Sequence, residues 1–325
     1  MSVCGIVGFF DKRPDAGTRA GHPREGVGPV GAPVGKILLS MLTTLGRRGP
    51  DSAGAALYGD PQGFVVRVKL GERGDLGPRA AEVAERARAL TWVTAAEVQG
   101  HYLRFVAETI GEVPAFEAAL ETVHPEVEVV SVGRRLEIIK GLGVPANLET
   151  TFGLSAFHGS HGIGHTRLST ESRVDLSHSQ PFWAHGTLDL AVVHNGHITN
   201  YHKLRRRYEQ RGIRFYTEND SEVIGIYLTD RLAQGLPFEE ALRASVRDLD
   251  GSFSYLAATA EALGYAKDPF CLKPLIVAET EEFVALANEE IAIGSTFEMK
   301  LQTREPSNRQ VQAWSLPPRT RRQAA

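Results

Sequence analysis

Apolar positions change their spacing three times along the chain. Ile6-Val7-Gly8-Phe9-Phe10 is a continuous short run and predicts a buried strand, with Cys4 on its lip. Ile37, Leu38, Met41, Leu42 and Leu45 recur at helical spacing and predict a helix over 36–46, stopped by Gly46. "AALYG" and "FVVRVKL" flank "DPQG" and predict a β-hairpin. From Gly71 to about Thr150 the pattern is mixed. "RAAEVAERARAL" and "AEVQGHYLRFVAETIG" predict amphipathic helices, "VEVVSV" and "RLEIIKGLG" strands. Residues 161–200 return to short apolar runs. Residues 198–248 predict helices, most clearly "NDSEVIGIYLTDRL", with Asp220 as its N-cap. "SFSYLAATA", "ALGYAKD", "LIVAET" and "FVALAN" predict strands again, ending near Gly294. The Gly- and Pro-rich stretch 13–35 reads as a loop. Strands, then helices, then strands argue for an α+β layered fold rather than regular βαβ winding.

Composition narrows the class. The chain of 325 residues is 42% hydrophobic and 23% charged, enough to bury a full core without disulfide or metal staples. A net charge of -3 gives no general attraction to nucleic acid or to a membrane. The basic "RTRR" near the C-terminus reads as a solvated tail. Two cysteines, Cys4 and Cys271, make no disulfide framework. The start lacks a signal peptide's basic segment, and no run nears the roughly 18–20 apolar residues of a membrane span. A cytoplasmic, reducing compartment is the resulting expectation. The absence of GxGxxG after a strand and of GxxxxGK[ST] leaves a Rossmann or P-loop reading without its phosphate cradle.

Four separated stretches carry candidate chemistry: "CGIVGFF" (4–10), "RRGPDSAG" (47–54), "GIGHTRLST" (162–170) with "HSQPF" (178–182), and "VVHNGHITNY" (192–201) with "TENDSEVI" (217–224). Taken singly, each has a plain structural reading. Cys4 is core filler, Asn195-Gly196 a hairpin turn, Asp220 a helix cap and Arg48 to Asp51 a turn. His158, His161 and His165 tempt a metal reading, but no Cys or carboxylate cluster completes a ligand set. Cys271 reads as inert packing.

Together and in this order, the motifs resemble the class II glutamine amidotransferase domain of the N-terminal-nucleophile hydrolases. Within that family the chain looks most like stand-alone amidotransferase subunits of glutamate-synthase-like enzymes, including N-methylglutamate synthase. "DPFCLKPLIVAETEEFVALANEE" (268–290) adds to this likeness. The resemblance implies a four-layer α-β-β-α sandwich, two antiparallel sheets between helices, over residues 4–300. It sets 1–3 apart as a trimmed propeptide, about 71–150 as a mixed helix and strand insertion, and 301–325 as a tail.

The implied reaction is hydrolysis of the side-chain amide of free L-glutamine. Cys4 is the nucleophile, and its own α-amine, with a pKa near ~7.7–8.0, is the base. Asn195 and Gly196 supply the oxyanion site. Arg167 pairs with the substrate carboxylate through its planar guanidinium, and Asp220 with its ammonium. Arg48 and Asp51 serve as latch and anchor of a mobile loop that closes on substrate, and His178 lines the pocket. Ammonia passes to a synthase partner subunit, because the chain shows no acceptor-domain motif. FMN and iron–sulfur centres belong to such a partner and none to this chain. The insertion is a candidate docking surface. Ser2 and Val3 stand between the initiator Met and Cys4, so the enzyme reading requires their removal. With Cys4 blocked, the chain is instead a non-catalytic glutamine-binding regulatory subunit. A third class, a different N-terminal-nucleophile amidase or peptidase, has no need of Arg167 and Asp220 together.

Overall fold

The computed structural model describes residues 4–13, 32–61, 63–169, 173–297 and 299–317. The segment 1–3 expected to be a propeptide or trimmed, most of the 13–35 loop and "RTRR" lie outside the described residues. The run after Cys4 forms β1 (Gly5–Asp11). Ile6 and Phe10 face one core and Val7 and Phe9 another, as strand alternation requires. α1 (Val34–Leu45) has no side-chain cap at either end. It is held by its buried face of Ile37, Leu38, Met41, Leu42 and Leu45, each worth about 1.5–3 kcal/mol of burial before entropy is charged. A 3-10 turn (Gly46–Arg48) leads to β2 (Ser52–Tyr58) and β3 (Phe64–Lys69).

Next come α2 (Leu76–Leu90), β4 (Val93–Gln99), β5 (Tyr102–Ala107), α3 (Val113–Glu121), β6 (Glu128–Gly133), β7 (Leu136–Leu142) and α4 (Ala146–Phe152). Then follow β8 (His161–Arg167), β9 (Phe182–Trp183), β10 (Ala191–Ile198), α5 (Tyr201–Glu209), α6 (Asp220–Ala233) and α7 (Phe238–Asp248). The last are β11 (Gly251–Ala258), β12 (Ala262–Lys267), β13 (Ile276–Glu279), β14 (Phe283–Ala287), α8 (Glu290–Gly294), β15 (Thr303–Arg304) and β16 (Val311–Ser315).

Among the described residues, one sheet runs β15-β13-β14-β1-β8-β2-β7 and a second β16-β12-β11-β10-β9. Both are antiparallel. Ile6, Phe10, Ile163 and Leu286 of the first meet Val193, Leu256 and Leu263 of the second in a shared core. The first sheet's other face, with Val7, Phe9 and Ala285, packs on α1 and α8. The second sheet's other face, with Val192, Phe253 and Tyr255, packs on α6 and α7. The layers are therefore helix, sheet, sheet, helix, the expected α-β-β-α sandwich. No helix of the described residues is long and apolar enough to cross a membrane.

Four expectations need correction. β2 and β3 form but do not pair: β2 joins β7 and β8 in the first sheet, and β3 joins β5 and β6 in a third sheet ordered β4-β5-β3-β6. Both faces of β2 are buried, so its partners are set by the central sheet rather than by the nearby turn. "AEVQGHYLRFVAETIG" is not a helix but most of the β4–β5 hairpin. Gly100 takes φ +58 at its reversal, whereas inside a helix it would cost about 1 kcal/mol. The third sheet and its helices do not match the expected 71–150 insertion: they begin at β3, and β7 returns to the first sheet. Finally, 301–325 is not simply a tail, because β15 pairs with β13 and β16 with β12. Trp314, opposite Leu263, anchors β16 in the shared core.

Candidate active site

β1 lies between β14 and β8, and Cys4 stands at its start. Two side-chain amides hold this end. Asn195 Nδ2 donates to the Cys4 carbonyl at 3.3 Å, and Asn288 Nδ2 donates to it at 3.2 Å. Asn288 Oδ1 also accepts from the Ile6 N–H at 3.0 Å. The Cys4 Sγ lies 3.6 Å from the Leu168 carbonyl. Asn195-Gly196 is not a hairpin turn: both residues sit inside β10, opposite Ser254 and Phe253 of β11. Gly196 takes φ +136, and a Cβ there would come within 2.1 Å of the Ser252 carbonyl, so only glycine fits.

Cys4, Arg167, His178, Gly196 and Asp220 line one cavity of about 1090 Å³. Arg167, at the end of β8, is 4% exposed. Its Nη1 donates to the Arg173 carbonyl at 2.8 Å and its Nη2 to Ser169 Oγ at 3.3 Å. Burial lowers its pKa from the ordinary guanidinium value, and neighbouring Cys4 opposes that shift. Asp220 is not the N-cap of α6. Asn219 is, accepting from the Ser221 N–H at 3.0 Å. Asp220 begins the helix, and its Oδ2 accepts the Ile198 N–H at 2.7 Å, tying α6 to the end of β10. Its Oδ1 lies 3.7 Å from His194 Nδ1.

The wall behind these groups is firmly braced. Gln180 Oε1 accepts from the His194 N–H at 2.6 Å, and its Nε2 donates to the His194 carbonyl at 3.1 Å. His194 Nδ1 lies 2.9 Å from Ser221 Oγ, and burial lowers its pKa against the pull of Asp220. His178 Nδ1 donates to Asp175 Oδ1 at 2.7 Å, and that bond raises the His178 pKa despite burial. Burial alone would raise the Asp175 pKa, but the bonds from His178 outweigh it and hold it at about 2.

Arg48 and Asp51 are engaged with protein groups. Arg48 forms an ion pair with Glu289. Asp51 Oδ2 accepts the Ser169 N–H at 2.8 Å, and the Asp51 N–H donates to the Arg167 carbonyl at 3.0 Å. Asp51 thus steadies the strand end that carries Arg167. The three histidines of the tempting spacing do not converge: His161 is sealed between Tyr58 and Phe10, and burial drives its pKa down to about 3. Among the described residues no group of three or more His, Cys, Asp and Glu is placed to hold a metal. Cys271 is not core packing: it sits half-exposed in a loop at φ +55. Sequence reasoning missed Asn288 and the bracing role of Gln180. Their only signals are a polar residue ending the apolar run "FVALA" and one inside "HSQPF".

The arrangement brings a thiol, a guanidinium and a carboxylate to one cavity, with amide donors at the thiol's own backbone. A guanidinium and a carboxylate facing the same space match the two charges of a free amino acid.

Known proteins are similar to this chain in sequence and, separately, in fold. A family model described as a glutamine amidotransferase domain matches residues 165–294. A putative glutamine amidotransferase of Methanothermobacter thermautotrophicus is 35% identical over 268 residues, covering 80% of this chain and 88% of that protein. The glutamine amidotransferase-like protein GlxB of Rhizobium meliloti is 35% identical over 297 residues, covering 90% and 91%. The solved glutamine phosphoribosylpyrophosphate amidotransferase of B. subtilis superposes with a TM-score of 0.59 at 17% identity. That match covers 96% of this chain but 49% of the other, and it speaks for the fold alone. With relatives 35% identical matched over most of their length and of this chain, the chain belongs to the class II glutamine amidotransferases.

Proposed function

We propose that the chain releases ammonia from free glutamine at Cys4 and hands it to a separate synthase subunit. In this reading the acceptor is of the glutamate-synthase-like kind that includes N-methylglutamate synthase, and FMN and iron–sulfur centres are that partner's. The observation that supports the reading is the common cavity of Cys4, Arg167 and Asp220.

Removal of the residues before Cys4 leaves its α-amine free to take the thiol proton. The sulfur attacks the amide carbon, and the proton goes to the departing nitrogen, giving a thioester and ammonia. Water then cleaves the thioester to glutamate and restores the thiol. The oxyanion formed in each step is held by Asn195 Nδ2 and the Gly196 N–H, donors whose fixed placement is worth about 3 kcal/mol each. Arg167 holds the α-carboxylate, Asp220 the α-ammonium, and His178 forms the wall. A glutamine inside a peptide lacks both charges and would leave Arg167 and Asp220 unmatched.

Intact mass and a glutamate-release assay test this on the same preparation. A mass beginning at Cys4, glutamate release, and loss of release in Cys4→Ala are expected. Release that persists in Cys4→Ala, or none from a chain whose first residue is Cys4, refutes the reading.

A further inference from the structure

A second cavity shares no lining residue with the Cys4 cavity. It has a volume of about 280 Å³ and lies where the third sheet meets the first. Arg67 on β3, Arg104 on β5 and Glu137 on β7 line it as one contiguous charged cluster. Phe152, Leu154 and Phe157 close it with apolar surface.

The charge here is unbalanced. Arg67 is 1% exposed and pairs with Glu137, and its Nη2 donates to Gln99 Oε1 at 2.9 Å. Arg104 shares the same carboxylate, through Nε at 2.8 Å and Nη2 at 3.1 Å. Burial would raise the Glu137 pKa, but the two arginines outweigh it and lower it. Counting Arg135 and Asp60, three guanidinium groups and two carboxylates line the cavity, one positive charge in excess among the lining residues, with Glu97 facing Arg104 from β4 just outside the lining. Arg67 Nε and Nη1 are buried with no hydrogen-bond acceptor. The Phe152 ring lies 5.1 Å from this guanidinium. A charged donor buried without an acceptor is costly, and an anion in the cavity would offset the surplus charge.

We propose that this cavity binds a small organic anion with one carboxylate and an apolar body. One surplus charge matches a carboxylate better than a phosphate, which carries more charge and gains nothing from aromatic walls. The volume accommodates a molecule of benzoate size. Such a ligand would touch both the third sheet and the first.

The test is calorimetric titration of the full chain with sodium benzoate and with inorganic phosphate at matched ionic strength. Saturable benzoate binding at one site is expected, retained in Arg167→Gln, which removes the most buried guanidinium of the Cys4 cavity. Arg104→Gln is expected to weaken it about tenfold or more, and Arg104→Lys less. No saturation, equal affinity in Arg104→Gln, or saturation by phosphate alone overturns the proposal. A benzoate-soaked crystal gives a readout independent of the variants' folding. Density against Arg104 and Phe152 supports the assignment, and density confined to the Cys4 cavity overturns it.

Discussion

Asn288→Ala is the most informative single change outside the reacting groups. Asn288 is 2% exposed and bridges β14 to the start of β1. Its Oδ1 accepts the Ile6 N–H, and its Nδ2 donates to the Cys4 carbonyl. Alanine removes both bonds. The Ile6 N–H belongs to a fully buried residue and loses this acceptor. An orphaned buried donor costs about 1–3 kcal/mol. The Cys4 carbonyl keeps the Asn195 amide, so the second loss is about 1 kcal/mol. The total is about 2–4 kcal/mol, a move of roughly 0.7–1.3 M in a urea midpoint at a slope of about 3 kcal/mol/M. Glutamate release should also fall, by about tenfold or more, because the strand end that aims Cys4 loses one of its two amide tethers. Asn288→Asp keeps the acceptor for Ile6 but sets a carboxylate against the Cys4 carbonyl, so it should spare the first bond and not the second. Urea unfolding followed by circular dichroism, with glutamate release on the same samples, measures both effects. An alanine variant that unfolds at the wild-type midpoint and keeps the wild-type rate would falsify the claim that Asn288 fixes the start of β1.

Two further outcomes follow from the packing. Lys140 on β7 is buried, and burial pulls its pKa down to about 8 against the opposing effect of Glu128. A lysine depressed in the folded state costs stability below pH 8, and the cost fades as pH rises toward its ordinary value near 10.4. Glu128 keeps Lys69 at 2.5 Å as its partner. Lys140→Met should therefore raise the urea midpoint at pH 6.5 by more than at pH 9.5, and an equal gain at both values refutes the assignment. Gly196→Ala would drive a methyl into the Ser252 carbonyl and Phe253 Cα, so β10 and β11 must part or the chain must fail to fold. Soluble protein with a wild-type melting curve would contradict the strain argument.

The parts of the fold readable from sequence are those whose spacing is strict. α1, α6 and the strands after residue 250 announce themselves by one apolar period each. Pairing partners do not. "DPQG" looks like a hairpin turn, yet β2 and β3 go to different sheets, because local turn residues compete with burial on both faces of β2. Polar β4, exposed along most of its length, imitates the mixed pattern of a surface helix, and only Gly100 argues otherwise. The site motifs were readable because each pairs unusual residue types with a turn or strand end. What lay beyond reach was which groups face the cavity and which serve the wall. Asp51 and Asp220 carry the same side chain, but Asp51 secures Ser169 and Asp220 lines the cavity. Asn288 is 284 residues from Cys4, and no local pattern can disclose such a contact.

The position of β1 between β8 and β14 has a consequence for synthesis on the ribosome. β14 ends at Ala287. At about 5–20 residues per second, β1 waits roughly 15–60 s for its second neighbour to be translated. Through that interval the Cys4 carbonyl and the Ile6 N–H are not yet braced by Asn288. The same delay leaves "GIVGFF" as an unpaired apolar edge on the nascent chain, a natural handle for chaperones. The opening strand is thus completed only when the closing strands arrive.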